Sequence, residues 1–309
     1  MSRAFVTGAS GFLGGRLCQR LVADGEEVHA ISRRPQADVG VRWWQGDLGD
    51  ADDVAATLGR VRPDVVYHLA GFVSGSREIE AVLPSLRDNL VSAVNVLVAA
   101  ARIGCSVVLA GSQEEPEPGL EDPVPASPYA AAKLAVGSFA RMLHALHELH
   151  VVNLRIFMVY GPGQHDRTKL VPYVITSLLR AERPRLSSGT RPVDWIYVDD
   201  VVDAFVTASS RNDLAGTTLD IGTGELVTIR ALVERIVETV DTGVEPDFGA
   251  LPERPLEIVR AADVIRTTNL LGWQPRTTLS EGLRSTVDWY RTELERDERS
   301  APSPGSPPV

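Results

Sequence analysis

Tyr129 and Lys133 stand four residues apart in Pro128-Tyr129-Ala130-Ala131-Ala132-Lys133, and Ser112 lies upstream of them at the end of an apolar run. Four residues make about one helical turn, so the phenol and the ammonium share one face of a helix. A phenol can trade a proton with a carbonyl or alcohol oxygen if its pKa is pulled down, and a neighbouring ammonium does this by favouring the phenolate. A serine hydroxyl can then hold the reacting oxygen. Such a set suits hydride chemistry at a carbon that bears oxygen. A Tyr-x-x-x-Lys pair alone is commonplace and usually structural, so its meaning depends on what accompanies it.

The segment Thr7-Gly8-Ala9-Ser10-Gly11-Phe12-Leu13-Gly14 closes an apolar run and opens a helical pattern, with its glycines three apart. Glycines so placed permit a tight turn, close approach of backbone to a pyrophosphate, and close packing of helix on strand. A glycine triplet alone is weak evidence. Its position between strand and helix makes Gly8, Ser10, Gly11, Phe12, Leu13 and Gly14 a dinucleotide-binding turn. NAD sites usually carry Asp or Glu at the end of the second strand, where this chain reads Ser32-Arg33-Arg34. A hydroxyl and two guanidiniums suit a 2′-phosphate, so NADPH is expected, with NAD as the alternative if the arginines are only a solvated turn. Asp47, in Gly46-Asp47-Leu48, is placed either to accept from an adenine amino group or to cap its own turn.

Short β-branched runs must support these groups: Arg3–Thr7, Glu27–Ile31, Val41–Gln45, Asp64–Leu69, Ser106–Ala110 and Val151–Val159. Helical patterns lie between them at Gly11–Ala23, Asp52–Leu58, Leu83–Ile103 and Ser127–His150. The alternation predicts an α/β fold, a Rossmann-type doubly wound parallel sheet with helices on both faces. After Gly161 the pattern loosens, with a helix at Leu170–Arg180 and a strand at Asp194–Val198 between Gly/Pro turns. This predicts a smaller mixed α/β substrate lobe. The expected division is a dinucleotide domain over 1–160 with returning segments at about 192–221, a lobe over 161–191 and 222–292, and a disordered tail over 293–309.

With 309 residues, 44% hydrophobic and 23% charged, the chain has enough apolar material for one large core. Its formal charge of −10 argues against a nucleic-acid partner, so an anionic ligand needs a local basic cluster. Cys18 and Cys105 lie in apolar contexts without zinc or disulfide spacing and are expected to be buried, reduced thiols. No metal site is expected: His144, His147 and His150 fall near one helical face, but no carboxylates complete the set. Trp43 and Trp44 straddle a strand as packing residues. The first strand starts too early for a signal peptide, and no apolar run approaches the roughly 20 residues of a membrane span. A cytoplasmic protein with no membrane partner is therefore expected.

Several motifs occur in a fixed order: the Thr7–Gly14 turn, Gly46-Asp47-Leu48, His68-Leu69-Ala70-Gly71, Asn89, Ser112, and Tyr129 with Lys133. They continue with Arg155 and Tyr160-Gly161-Pro162-Gly163, Asp194-Trp195-Ile196-Tyr197-Val198-Asp199-Asp200, Arg254-Pro255 and Leu271-Gly272-Trp273-Gln274-Pro275. In this order the chain, from residue 3 to about 290, resembles the extended short-chain dehydrogenase/reductases of the epimerase/dehydratase family, which act on nucleotide sugars. The resemblance implies that Tyr129 is the acid/base, that Lys133 contacts the nicotinamide ribose and tunes the tyrosine, and that Ser112 orients the reacting sugar oxygen. It extends the cofactor contacts to Leu48, Leu69, Ala70, Gly71 and Asn89. It gives the sugar diphosphate to Arg254 and Arg191, and places Lys169, with His165 as a weaker candidate, near the sugar and diphosphate. A homodimer through the two long helices is implied as well, although their apolar faces could equally cover the sheet.

Departures from the family pattern discriminate among its chemistries. The 4,6-dehydratases carry Thr-Asp-Glu where this chain has Ser112-Gln113-Glu114, and Gln113 cannot serve as the acid that eliminates water. The Cys and His of 3,5-epimerising reductases, near Glu114 and Lys169, are absent. Glu114 either contacts the sugar or belongs to an exposed acidic loop, Glu114-Glu115-Pro116-Glu117-Pro118. Taken with Ser32-Arg33-Arg34, the pattern favours an NADPH-dependent reductase of the C4 ketone of a nucleoside-diphosphate 4-keto-6-deoxyhexose, dTDP-linked. A 4-epimerase with tightly held NAD needs only Ser112, Tyr129 and Lys133 and is the alternative. A dehydratase is disfavoured, and a non-enzymatic dinucleotide sensor would lack the Tyr-Lys pair.

Overall fold

The structure, a computed structural model, describes residues 2–116, 122, 124–253 and 256–300, apart from the side chains of Glu298 and Ser300. Its described residues divide into two compact units, 2–159 with 194–226 and 256–276, and 160–193 with 227–253 and 277–300.

The first unit begins β1 (Arg3–Thr7), α1 (Phe12–Ala23), β2 (Glu27–Ser32), β3 (Val41–Gln45), α2 (Ala51–Val61) and β4 (Val65–His68). A helical stretch from Ile79 to Ile103 contains α3 (Val82–Ser85), a π-helical turn (Leu86–Val91) and α4 (Ser92–Ile103). Then come β5 (Ser106–Ser112), α5 (Pro128–His147), β6 (Val151–Ile156) and β7 (Met158–Tyr160). Seven parallel strands form the main sheet in the order β10-β6-β5-β4-β1-β2-β3, where β10 is Thr218–Ile221. The order reverses at β1 and β4, paired Thr7 to His68, and the carboxyl ends of strands at such a switch point are where ligands bind in open α/β sheets.

Side chains alternate across this sheet, so Ala4 and Val6 enter one core with Leu17, Cys18 and Phe205, while Phe5 enters the other with Val54, Leu58, Val96 and Leu97. Trp43 and Trp44 pack at the margins of the two cores, one each. Both cysteines are buried and unbridged, and burial pushes each thiol up to about 12.

The remaining elements are α6 (Leu170–Leu179), β8 (Arg185–Leu186), β9 (Pro192–Tyr197), α7 (Val198–Ser209), β11 (Leu226–Thr228), α8 (Ile229–Val240), β12 (Asp247–Phe248), α9 (Val264–Leu271) and α10 (Leu279–Ser300). Strands β11, β9 and β7 make a three-stranded sheet in that order. In the second unit, β12 pairs with β8, and α6, α8 and α10 pack together around Leu232, Ile236, Leu283, Val287 and Tyr290.

Four expectations are corrected. Residues 256–276 group with the dinucleotide unit rather than the lobe, because the fully buried Asp194 carboxylate accepts from the Ala262 N–H (2.9 Å) as well as from Thr223 and Gly224. The segment after 293 is helical to Ser300, held by Arg296–Glu293 (2.8 Å) and by Arg299 Nε on the Glu295 carbonyl (3.1 Å). The helix from Ile79 to Ile103, where the sequence predicts no apolar run of that length, is long and apolar enough to cross a membrane by length and composition alone, with a mean hydropathy of 1.2 over 18 of its residues. It packs on α2 and α5 of its own unit. Finally, the strand expected over Val151–Val159 breaks at Phe157, whose N–H turns to the Ile221 carbonyl (2.9 Å).

Candidate active site

The glycine turn is built as its spacing predicts. Gly8 adopts φ 71°, and a Cβ there would lie 2.7 Å from the Ala70 nitrogen, so the first turn and Leu69-Ala70-Gly71 meet backbone to backbone. A Cβ on Gly14 would lie 2.2 Å from the Gly8 carbonyl oxygen, which makes glycine obligatory where α1 packs on the turn. Ser10 and Gly11 are exposed, Phe12 and Leu13 half-buried, at the positive end of α1. Thr7 Oγ1 accepts from Ala70 N–H (3.2 Å) and contacts His68 Nδ1 (2.9 Å), tying the ends of β1 and β4 together. A cradle lined only by backbone, at the switch point and beside a helix N-terminus, fits a dinucleotide pyrophosphate.

At the end of β2, Ser32 Oγ accepts from the Arg34 N–H (3.2 Å), and Arg33 faces Asp88 at 3.9 Å with a largely exposed side chain. Asp47 accepts from the Gly49 N–H (2.9 Å) and pairs with Arg87, and these contacts hold its carboxyl below the ordinary range. The turn-capping role is thus fulfilled. Leu48 presents its carbonyl to Asn95 (2.9 Å).

Helix α5 carries Tyr129 and Lys133. Its start is fixed by Ser127, whose hydroxyl accepts from the Ala130 N–H (3.1 Å), and by Pro128 in the first turn. Ser112 is the last residue of β5 rather than a residue beyond it. Its hydroxyl accepts from the Glu114 N–H (3.2 Å) and is near enough to the Tyr129 phenol to favour its ionised form. Lys133 Nζ donates to the Ala110 carbonyl (2.7 Å) and lies 5.7 Å from the centre of the Tyr129 ring. Asn89 reaches the same place from the π-helical turn: its amide donates to the Phe72 carbonyl (3.1 Å), and its Oδ1 is buried without a partner, close enough to Gly71 that a Cβ would stand 2.4 Å away.

The expected depression of the Tyr129 pKa is not what this geometry gives. Burial pushes the phenol well above its ordinary value, and the Ser112 side chain offsets only part of that. Burial also lowers Lys133 to about 8, with the Glu115 carboxylate pulling the other way. His68, fully buried, is lowered to about 3 by burial and by the charge of Lys133.

Glu115 is 3% exposed, so the exposed-loop alternative for the run that begins at Glu114 does not hold for it. Its Oε1 accepts from the Ser112 N–H (2.8 Å), and its Oε2 lies 3.7 Å from Arg155 Nε. Arg260 donates to the Gln113 carbonyl (2.8 Å) and lies over the Phe157 ring. The composition of the Glu114–Glu117 run hid Glu115, and no local signal marked Arg260. Glu114 accepts from Ser127 Oγ (3.2 Å) and lines a small cleft with Gly75, Arg77 and Glu257.

Other candidates lie elsewhere. Lys169 (4.0 Å from Asp166), Arg191 and His165 (edge-on to Trp289) belong to the second unit. Arg254 lies outside the described residues, as do 301–309 of the expected tail. His144 and His150 are bonded to the carbonyls of Leu149 and Asn212 (both 3.1 Å), and among the described residues no group of three or more His, Cys, Asp and Glu could hold a metal ion.

The sequence profile of the NAD dependent epimerase/dehydratase family matches residues 4–222. This chain belongs to the NAD-dependent epimerase/dehydratase family. Among its relatives, the UDP-glucose 4-epimerase of Mycolicibacterium smegmatis is 32% identical, over 95% of this chain and all of the relative. The dTDP-glucose 4,6-dehydratase of Streptomyces niveus is 29% identical, over 98% of each chain. Among solved structures, MoeE5 in complex with UDP-glucuronic acid and NAD superposes with a TM-score of 0.84 at 33% identity, covering 94% of this family member and 100% of that chain. Membership accounts for the order of motifs.

Proposed function

We propose that this protein is a nucleotide-sugar 4-epimerase working with NAD, acting on a uridine- or thymidine-diphosphate hexose. The observation that carries the reading is the buried Tyr129 phenol with Lys133 Nζ 5.7 Å from its ring and Ser112 at the end of β5 beside it, in a site that has Gln113 in place of an acid for elimination. Its relatives include a UDP-glucose 4-epimerase and a structure holding UDP-glucuronic acid and NAD, which supports epimerisation over net reduction.

The backbone of Gly8–Gly14, with Leu69-Ala70-Gly71 and Asn89, would hold the dinucleotide, and Asp47 and Leu48 would flank its adenosine. When bound, NAD would supply the reversible hydride acceptor that oxidation and re-reduction at the sugar C4 require. Tyr129 takes the proton of the C4 hydroxyl as the carbon becomes a ketone and gives it back on reduction, so protons and electrons balance within one turnover. Ser112 hydrogen-bonds the same oxygen and keeps it beside the phenol. Lys133, held by the Ala110 carbonyl, contributes a positive charge behind the tyrosine. Glu114, Arg254, Arg191 and Lys169 are the proposed substrate contacts. The exposed Leu83, Leu86, Phe139, Met142 and Leu146 on the two long helices support the homodimer implied by the resemblance.

NAD is favoured over NADPH because Arg33 faces Asp88, so a 2′-phosphate arriving there would meet a carboxylate along with the guanidinium. The C4-ketoreductase remains the second reading, favoured by Ser32-Arg33-Arg34. The nucleotide released on denaturing the purified protein, identified by mass, separates the two together with turnover. NAD and interconversion of C4 epimers support the epimerase. Oxidation of added NADPH by a 4-keto-6-deoxy nucleotide sugar, without epimer formation, establishes the reductase.

A further inference from the structure

The chain holds one fully enclosed carboxylate next to its reacting groups that the proposed mechanism does not use. We propose that Glu115 is a positioning residue, fixing the Ser112 backbone and setting by its negative charge the protonation of Lys133 and Tyr129. The proposal rests on the site reading above for the roles of those three residues.

The geometry is specific. Glu115 Oε1 takes the Ser112 N–H at 2.8 Å, so the carboxylate grips the backbone of the residue that ends β5 beside Tyr129. Glycine at 111 leaves room for it in this position: a Cβ there would lie 2.7 Å from both Glu115 Oε1 and Asn153 Oδ1, and one of them would have to shift. Along α5 it reaches Gly137, one turn beyond Lys133, where a Cβ would stand 4.0 Å from Oε2 and 3.4 Å from the Arg141 guanidinium. From β6, Arg155 approaches at 3.7 Å while donating to Asp220 at 2.8 Å, so its charge is shared between two acids. Arg260 holds the loop by the carbonyls of Gln113 (2.8 Å) and Glu115 (3.4 Å).

The charged and titratable groups around Glu115 are therefore Arg155 and its partner Asp220, Arg260, Lys133, Arg141, Tyr129 and Glu114. Burying a carboxylate costs free energy that a valine of similar size would not. A purely structural role would need no charge beside the phenol and ammonium. Burial raises the pKa of the Glu115 carboxyl itself, and the Ser112 N–H with the charges of Arg155, Lys133 and Arg260 opposes that rise; the carboxylate they hold favours the protonated form of both Tyr129 and Lys133.

The test compares Glu115→Gln and Glu115→Asp with wild type, using the pH dependence of NAD binding by protein fluorescence and of kcat. Glu115→Gln keeps an acceptor for the Ser112 N–H but removes the charge, and its midpoints are expected to move about one unit to lower pH. Glu115→Asp keeps the charge and is expected to hold the wild-type midpoint while lowering kcat, because the shorter arm loosens Ser112. Unchanged midpoints in Glu115→Gln, or equal shifts in both variants, overturn the proposal. Should Glu115→Gln not fold, a shifted midpoint in Glu115→Asp overturns it alone. The binding profile needs no turnover, so a protein that binds NAD with the expected shift but converts no sugar refutes the functional reading and leaves this one standing.

Discussion

His68 offers a quantitative prediction. It is 2% exposed, its Nδ1 lies 2.9 Å from Thr7 Oγ1, and its Nε2 is buried without a partner. Because the Thr7 hydroxyl accepts from the Ala70 N–H, we assign its proton to the bond with Nδ1, which leaves the imidazole neutral with its own proton on Nε2. Charging the ring would break this bond and place a cation near Lys133, and its pKa falls from 6.5 to about 3. A histidine that is neutral in the fold and basic when unfolded contributes stability that is present above pH 6.5 and is lost as pH falls towards 3. At pH 5 the unfolded chain has gained most of one proton and the folded chain almost none. The difference between pH 7 and pH 5 is then about 2 kcal/mol from this residue alone. Urea unfolding of wild type and His68→Asn at both pH values measures it, since asparagine keeps an acceptor for Thr7 but does not titrate. The variant should lose about 2 kcal/mol less than wild type between pH 7 and pH 5. An equal loss in both proteins would refute the assignment of a neutral, buried His68.

Gly14→Ala puts a methyl 2.2 Å from the Gly8 carbonyl oxygen, so NAD affinity by fluorescence titration should fall at least tenfold, with a stability loss of about 2 kcal/mol. Asp194→Ala removes a carboxylate that accepts from Thr223, Gly224 and Ala262, and should cost at least about 3 kcal/mol in chemical denaturation. Ser127→Ala removes the cap of α5 and a contact to Glu114, with an expected cost of about 1 kcal/mol and a several-fold fall in kcat, because Tyr129 sits in the first turn. Tyr129→Phe should abolish turnover with NAD affinity nearly unchanged; retained turnover would remove the phenol from the mechanism.

The parts of the site that lie close together in the chain were legible in the sequence. Gly8 to Gly14 form one turn, Tyr129 and Lys133 one helical face, and β-branched runs between helical patterns identify a parallel sheet. Long-range pairing was not legible. The Glu114–Glu117 run has the composition of a surface loop, and only the buried arginine arriving from β6 and the empty side-chain position of Gly111 explain why Glu115 turns inward. The π-helical turn that carries Asn89 falls within a continuous helical pattern and leaves no mark in its periodicity. That Asp88, from that same turn, faces Arg33 is likewise not legible in the sequence.

The most direct test uses UDP-hexose and UDP-hexuronate labelled with deuterium at C4, incubated with the purified protein without added cofactor and followed by proton NMR. The account predicts both C4 epimers, with the label kept at C4 because the hydride removed is the one returned. Loss of label to solvent, or absence of epimer with NADPH consumed on a 4-keto-6-deoxy nucleotide sugar, would contradict it.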